Sequence, residues 1–409
     1  MRIIEPLVKG QLERECLLRA VHLDWLRALI VFLLIPYHTA WIFSGQSWII
    51  SSPISNPVAL AFTQVFDQFQ MPLLFTIAGI AAWFSLGNRT WKQYCLERLG
   101  RLFIPMIFGI LVLNAIVFYL AALFSHQVGV FPGSFIDWYS VYLRCMLFPW
   151  QKNWSPGVFW FVWYLLIYSI ILLPFLLFIR KKVSGSVLEK IGELLQKRGI
   201  VLVFFLLAFL PVCIQFIQPQ NGNSFSQISY FVFFFVYGFF IYSSSQMQRC
   251  IDRFGFIVLI IGILSIILVI LLIFPSTTSA PLGALYWRIF GTKAGTKGQD
   301  LYLVLRGISC WFTVIGLIFL ARMFANISNK YLHYATEAVL PFYLMHVTFI
   351  IAIGYYVIPL NLSVFIKFVI IIVSSFAATL AAFEVMKRFV VTRFLLGMRL
   401  KPKSVKHLS

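Results

Sequence analysis

Ten apolar stretches, each about as long as a membrane-spanning helix, constrain this chain more than any other feature of its sequence. A run of roughly 20 apolar residues can cross a bilayer as a helix. Most of the stretches end at Pro, Gly, Asn or a basic cluster, as such helices do. The predicted spans are 23–43, 58–85, 103–125, 159–179, 199–217, 228–243, 255–274, 303–325, 338–357 and 364–386.

The composition agrees with an all-α integral membrane protein. Hydrophobic residues make up 61% of the chain and charged residues only 11%, whereas a soluble protein carries roughly a quarter charged residues. The six cysteines are scattered and lack the spacing of a disulfide framework or a zinc site. The boundaries of 199–217 and 228–243 stay open to another assignment, because the second stretch is short.

The distribution of Lys and Arg predicts the topology. With the N-terminus in the cytoplasm, the inner segments hold 24 of these residues and the outer loops 5, as the positive-inside rule requires. Both termini are then cytoplasmic, with an arm at 1–22, a membrane domain at 23–386 and a basic tail at 387–409. The net charge of +20 is explained by contact with anionic lipid, so a nucleic-acid partner is not needed.

Three polar residues interrupt the first span and share one helical face. At about 100° per residue, Arg27 and His38 fall within about 20° of each other, roughly 16 Å apart along the axis, and Asp24 lies on the same side. Such side chains are costly in lipid, so we expect them to face a protein-lined cavity. Pro36 cannot donate a backbone hydrogen bond, which predicts a kink just before His38.

Each of these residues has a functional and a structural interpretation. His38 can take and return a proton as a general base, or it can hydrogen-bond to a neighbouring helix. Asp24 and Arg27 can form an i,i+3 ion pair. Both interpretations hold together if Asp24 fixes Arg27 while the guanidinium points toward a phosphate or a thioester.

Further polar side chains border the predicted membrane region. Arg98 and Arg101 share a face at i,i+3 and match phosphate oxygens, although ordinary positive-inside charge explains them equally well. His346 lies in mid-span and either lines the same cavity as His38 or simply packs. Gln70 ends a polar strip that faces either this cavity or the outer water. No motif for a metal cluster or a nucleotide loop occurs.

These motifs, taken in their order and spacing, resemble acyltransferase family 3 of bacterial membrane proteins, and within it the members that modify glucans. The resemblance covers about residues 20–390, and its one local departure is Ala78, where the family usually shows Ser. The motifs are Leu23-Asp24-x-x-Arg27, Arg27-x10-His38, Met71–Phe75 with Gly79, Arg98-x-x-Arg101-Leu102 with Pro105, Phe159–Tyr164 and Tyr343-Leu344-x-His346.

The resemblance implies transfer of an acetyl or succinyl group from cytosolic acyl-CoA to a hydroxyl of a carbohydrate-type acceptor at the outer side of the bacterial inner membrane. It implies that His38 is the general base, and we expect Asp24 to assist it by fixing Arg27. The acyl donor is then held by Arg27, Arg98 and Arg101, without a metal ion. We expect the substrate cavity to include His346, Gln70 and Trp160.

Two other functions stay open on the sequence. A transporter or flippase of a glycan or lipid precursor predicts internal repeats with helices broken near mid-membrane; several spans contain Pro, but no two-fold similarity is evident. An enzyme that carries the acyl group covalently on His38 or His346 is the other alternative. No feature of the sequence indicates an oligomeric state.

Overall fold

The computed structural model describes residues 21–125, 134–147, 156–183, 212–213, 224–243, 245–273 and 297–399. All regular secondary structure within these ranges is helical. The predicted span 199–217 lies almost wholly outside the described residues, as does the arm at 1–22.

The described part of the chain forms twelve helices, which we number in chain order. They are α1 (Val21–Phe43), α2 (Pro57–Asn88), α3 (Trp91–Ser125), α4 (Phe135–Leu147), α5 (Gly157–Ile171), α6 (Leu173–Val183), α7 (Ser224–Ser243), α8 (Ser245–Ile273), α9 (Lys297–Phe324), α10 (Lys330–Val357), α11 (Val364–Met386) and α12 (Val390–Leu395).

Seven of the described helices are long and apolar enough to cross a membrane, which makes this a multi-pass membrane protein. They are α1, α2, α3, α8, α9, α10 and α11. The predicted span 159–179 forms two helices, α5 and α6, that meet at 52° and raise the count to eight if they cross together. Pro174 lies in the first turn of α6, where its missing N–H is tolerated. The apolar part of α7, Ile228–Ser243, is shorter than a full span.

The helices belong to two compact units, and the first comprises Met1–Ile30, Asn56–Trp91 and Ile167–Thr336. In this unit α2 packs on α7 at a point where each helix has a glycine. A Cβ atom added to Gly79 would overlap the carbonyl oxygen of Phe235, and one added to Gly238 would overlap that of Thr76. Glycine at facing positions lets two membrane helices approach closely.

Helices α8 and α9 form the other close pair of the first unit. A Cβ atom on Gly262 would lie 2.8 Å from the backbone nitrogen of Thr313, so small residues again set the separation. Near the end of α9, the guanidinium of Arg322 donates two hydrogen bonds to the carboxylate of Asp252, at 2.7 and 2.8 Å. A bidentate pair of this kind fixes orientation as well as distance.

The second unit comprises Val31–Ser55, Lys92–Leu166 and Glu337–Ser409. Its α3 is wound as π-helix at Leu99–Phe103 and at Gly109–Asn114. In the second of these segments the carbonyl oxygen of Ile110 accepts a hydrogen bond from the Tyr142 hydroxyl at 2.6 Å, and that of Leu111 accepts one from the Tyr139 hydroxyl at 3.1 Å. These two tyrosines of α4 therefore support the irregular part of α3.

Glu337 of α10 is held by the C-terminal helix of the same unit. Arg393 of α12 is buried and pairs with the carboxylate of Glu337 at 2.8 Å. Gly397, with a φ of 67°, turns the chain where a Cβ atom would lie 2.9 Å from the carbonyl oxygen of Arg101. A glycine is favoured there because a side chain would be strained in this conformation and would crowd that oxygen.

Candidate active site

The imidazole of His38 contacts the rings of Trp48 and His346 in the second unit, besides that of its neighbour Tyr37. Trp48, from the segment that follows α1, stacks on it with ring centroids 5.2 Å apart and planes inclined by 7°. The ring of His346 lies at 5.2 Å with an inclination of 34°. His38 is therefore held by contacts between rings and keeps part of its surface exposed.

His346 has a hydrogen bond that defines its tautomer. Its Nδ1 lies 2.7 Å from the carbonyl oxygen of Tyr343 and 3.2 Å from that of Phe342. Since a carbonyl oxygen can only accept, Nδ1 carries the hydrogen and donates it, which leaves a lone pair on Nε2. The side chain is buried, with 3% of its surface exposed.

Each imidazole has one buried nitrogen with no hydrogen-bond partner among the described residues. These atoms are Nδ1 of His38 and Nε2 of His346. Buried polar atoms normally find partners, and an exception calls for an explanation such as a catalytic role or an absent ligand. Two imidazoles whose rings are in contact, each with a nitrogen that has no hydrogen-bond partner, can accept and pass a proton.

The hydroxyl of Tyr343 ties this part of α10 to the entry of α5. It donates to the carbonyl oxygen of Val158 at 3.1 Å. Trp160, two residues further on, is partly exposed and packs edge-on against Tyr164 with ring centroids 5.4 Å apart. Trp160 thus belongs to the same unit as the histidines. It lies two residues beyond Val158, whose carbonyl oxygen accepts the hydrogen bond from Tyr343.

Arg98 and Arg101 lie at the first π-helical segment of α3, also in the second unit. The guanidinium of Arg98 lies over the ring of Tyr94, 4.8 Å from its centroid. Arg101 is exposed and pairs with Glu97 at 3.4 Å. Because the chain between them is not wound as α-helix, the i,i+3 face argument does not hold, and the two side chains take different partners.

Asp24, Arg27 and Gln70 belong to the first unit. Asp24 and Arg27 form the expected i,i+3 ion pair at 3.1 Å, and both side chains are more than a third exposed. Gln70 is 2% exposed, and neither atom of its amide has a hydrogen-bond partner in the described part of the chain. A buried polar group without a partner calls for an explanation, and contact with a ligand is one of them.

Sequence reasoning missed Trp48, whose ring covers His38. It follows α1 in a segment without periodicity, so no pattern relates it to the histidine. Among the described residues, no group of three or more His, Cys, Asp or Glu is arranged to hold a metal ion.

Comparison with known proteins gives a family match over most of the chain. A family model described as an acyltransferase domain matches residues 21–384. Glucans biosynthesis protein C of Escherichia coli strain K12 is 28% identical over 123 residues, which are 30% of this chain and 32% of that protein. The protein of the same name from Salmonella schwarzengrund strain CVM19633 is 24% identical over 197 residues, 48% of this chain and 49% of that protein.

The matched regions thus span about a third to a half of the length of these curated relatives. No solved structure matches the chain.

Proposed function

Because the chain belongs to acyltransferase family 3, and is therefore an acyl-transferring membrane enzyme, we propose that it acylates a hydroxyl of a carbohydrate acceptor with His38 as general base. The observation that carries the proposal is the contact between the rings of His38 and His346, each with a buried nitrogen that lacks a partner in the described chain. A general base needs such an available lone pair.

The acyl donor in this proposal is acetyl-CoA or succinyl-CoA from the cytoplasm. Guanidinium groups match the oxygens of phosphate, and Arg98 and Arg101 both lie near the start of α3, one stacked on Tyr94 and one exposed. Arg27 is oriented by Asp24 at 3.1 Å. We propose that Arg98 and Arg101 hold the CoA phosphates. That Arg27 contributes as well, with Asp24 acting by fixing it, stays a prediction from the resemblance.

The chemical step follows from the lone pair of His38. This imidazole takes the proton of the acceptor hydroxyl while the hydroxyl oxygen forms a bond to the thioester carbonyl carbon. The carbon–sulfur bond then breaks, and CoA leaves with the proton as a free thiol. His346, held by the Tyr343 carbonyl with its Nε2 lone pair buried, stabilises the positive charge that His38 acquires.

The acceptor class rests on the comparison with known proteins. The relatives are named for the biosynthesis of glucans, so a glucan-type hydroxyl is the acceptor that we propose. The transfer would take place at the outer side of the bacterial inner membrane. Trp160, which lies in the same unit as the two histidines, is proposed to contact substrate. The contact expected of Gln70 is a separate proposal that rests on its buried, unpaired amide.

A transfer assay tests the proposal. The full chain in lipid nanodiscs is incubated with radiolabelled acetyl-CoA or succinyl-CoA and glucose oligomers, and label in the sugar and free CoA are measured. We expect transfer by the wild type and a rate about 10²- to 10⁴-fold lower in His38→Gln, the contribution of a general base. His22→Gln is the matched control, since His22 lies on the same helix but is hydrogen-bonded to the hydroxyl of Tyr242 at 2.7 Å.

Wild-type turnover by His38→Gln would end the assignment of the base. Mass analysis after incubation with donor alone addresses the covalent alternative, because an acylated His38 or His346 adds the mass of the acyl group. We expect unmodified protein in that experiment.

A further inference from the structure

The second unit contains a cavity of about 670 Å³ where four chain segments meet. They are the segment after α1, the end of α3, the end of α10 with its following turn, and the start of α11. The predicted topology puts all four on the outer side of the membrane. The lining residues include Ile54, Phe124, Tyr355, Tyr356, Asn361 and Lys367.

Lys367 is the unusual member of this lining. It lies in the first turn of α11 and is only 6% exposed. Its Nζ donates to the carbonyl oxygen of Ile358 at 2.7 Å, and no carboxylate of the described chain pairs with it. An ammonium group has three hydrogens to donate, and a buried charge normally has an ionic partner.

The position of Lys367 near the N-terminus of α11 adds to the positive charge that lacks an ionic partner. The N-terminus of a helix carries a partial positive charge, so anions are stabilised there and cations are not. Ser363 caps α11 by accepting a hydrogen bond from the backbone of Ile366 at 3.3 Å, but its hydroxyl adds no negative charge. An anion in the cavity would complement both the ammonium group and the end of the helix.

The rest of the lining suits a sugar. Phe124 and Tyr355 lie edge to face, with centroids 6.3 Å apart, and Tyr355 and Tyr356 are 5.1 Å apart. Aromatic faces bind the apolar faces of ligands, and their hydroxyls, with the Asn361 amide, hydrogen-bond to polar groups. A volume of this size is in the range of small-molecule sites.

The cavity is linked to the histidines by one short segment of chain. The residues after α1 cover the His38 ring with Trp48 and line the cavity with Pro53 and Ile54. On α10, Tyr355 lies about 13.5 Å beyond His346 along the helix axis. A carbohydrate with its reacting hydroxyl at His38 would have to extend over about this distance to place a more distant part of the same molecule in the cavity.

We propose that this cavity binds an acidic group of the carbohydrate acceptor, a carboxylate or a phosphate, through Lys367. The proposal rests on the proposed function and adds to it that the acceptor is an anionic sugar chain. It assigns Lys367 to binding and gives it no part in the chemical step.

The test measures binding without any acyl donor, using the full chain in phosphatidylcholine nanodiscs. The two probes are an oligosaccharide of alternating glucose and glucuronate and the same oligosaccharide after reduction of its carboxyls. We expect the acidic form to bind about tenfold tighter or more, the size of one charged hydrogen bond. Lys367→Gln should remove the difference and Lys367→Arg should keep it.

Lys387→Gln is the matched control, because Lys387 lies just past the other end of α11 and pairs with Glu384. Equal binding of the two sugars to the wild type would overturn the proposal, and this comparison does not require any variant to fold. A preference for the acidic sugar that survives Lys367→Gln would also overturn the proposal. So would a preference that disappears when phosphatidylglycerol is added to the nanodiscs, because the site would then bind a lipid headgroup. Transfer activity without this preference would leave the proposed function intact.

Discussion

Replacement of His346 distinguishes a catalytic pair of imidazoles from a packed one. In the proposed step His38 becomes positively charged, and the neighbouring Nε2 lone pair of His346 stabilises that charge only after the proton has moved. The tautomer that exposes this lone pair is fixed by the hydrogen bond of Nδ1 to the Tyr343 carbonyl oxygen at 2.7 Å. His346→Phe keeps a ring against His38 but removes the lone pair.

The size of the effect follows from the strength of one charged hydrogen bond. Such a bond contributes about 1.5–3 kcal/mol, and each 1.36 kcal/mol corresponds to a factor of ten in rate. We therefore expect His346→Phe to lower kcat by about 10- to 150-fold. The KM for acyl-CoA should stay within a factor of about two, because the lost interaction forms only as the proton is transferred. His346→Gln, whose side-chain oxygen can accept a hydrogen bond, should retain more activity than the Phe variant.

The assay is a single-turnover measurement of transfer to a glucose oligomer with His346→Phe, His38→Gln and the double variant. If the two rings act as one unit, the double variant is no slower than His38→Gln alone. An unchanged kcat in His346→Phe would refute the reasoning. A double variant slower by the product of both single effects would also refute it, because the two residues would then act independently.

Three further changes test other parts of the molecule. Trp48→Leu should lower kcat about threefold to tenfold in the same assay, since an aromatic contact of about 0.5–1.5 kcal/mol orients His38. Trp138→Leu is the control: it loses a stacking contact with Tyr142 and should leave transfer unchanged. Arg101→Gln should raise the KM for acyl-CoA about tenfold, and Lys92→Gln, the control, should leave it unchanged. Gly238→Val should prevent close packing on Thr76 and remove most of the folded protein from size-exclusion profiles, an effect that Gly100→Val, in open space, should not show.

Hydropathy was sufficient to predict where most membrane helices lie, because the bilayer requires long apolar segments with internally paired backbones. It did not predict that 159–179 would break near Leu172, since the stretch is apolar on both sides of the bend. The pair of π-helical segments in α3 was also missed. The second segment is supported by Tyr139 and Tyr142 in another helix, and such contacts leave no local pattern.

The candidate site was predicted in parts. Periodicity indicates that His38 lies on a polar face of its helix, and His346 is a second histidine in mid-span. No local sequence pattern predicts that α1 and α10 bring the two rings together. The cavity at Lys367 was missed for the same reason, because four separate chain segments form it. Lys367 becomes informative only when its burial and its hydrogen bond to the Ile358 carbonyl oxygen are known.

Substitutions of two histidines on α1, His38 and His22, distinguish the structural from the catalytic interpretation of His38. Nδ1 of His38 is buried without a partner among the described residues, so His38→Phe removes an uncompensated polar atom and keeps a ring beside Trp48. A buried unsatisfied group costs about 1–3 kcal/mol, and we expect His38→Phe to raise the thermal unfolding midpoint in nanodiscs while abolishing transfer. His22→Phe should lower the midpoint, because it breaks the buried hydrogen bond to Tyr242. If His38→Phe were instead less stable than the wild type, the imidazole would be a structural group, since residues kept for catalysis commonly reduce stability.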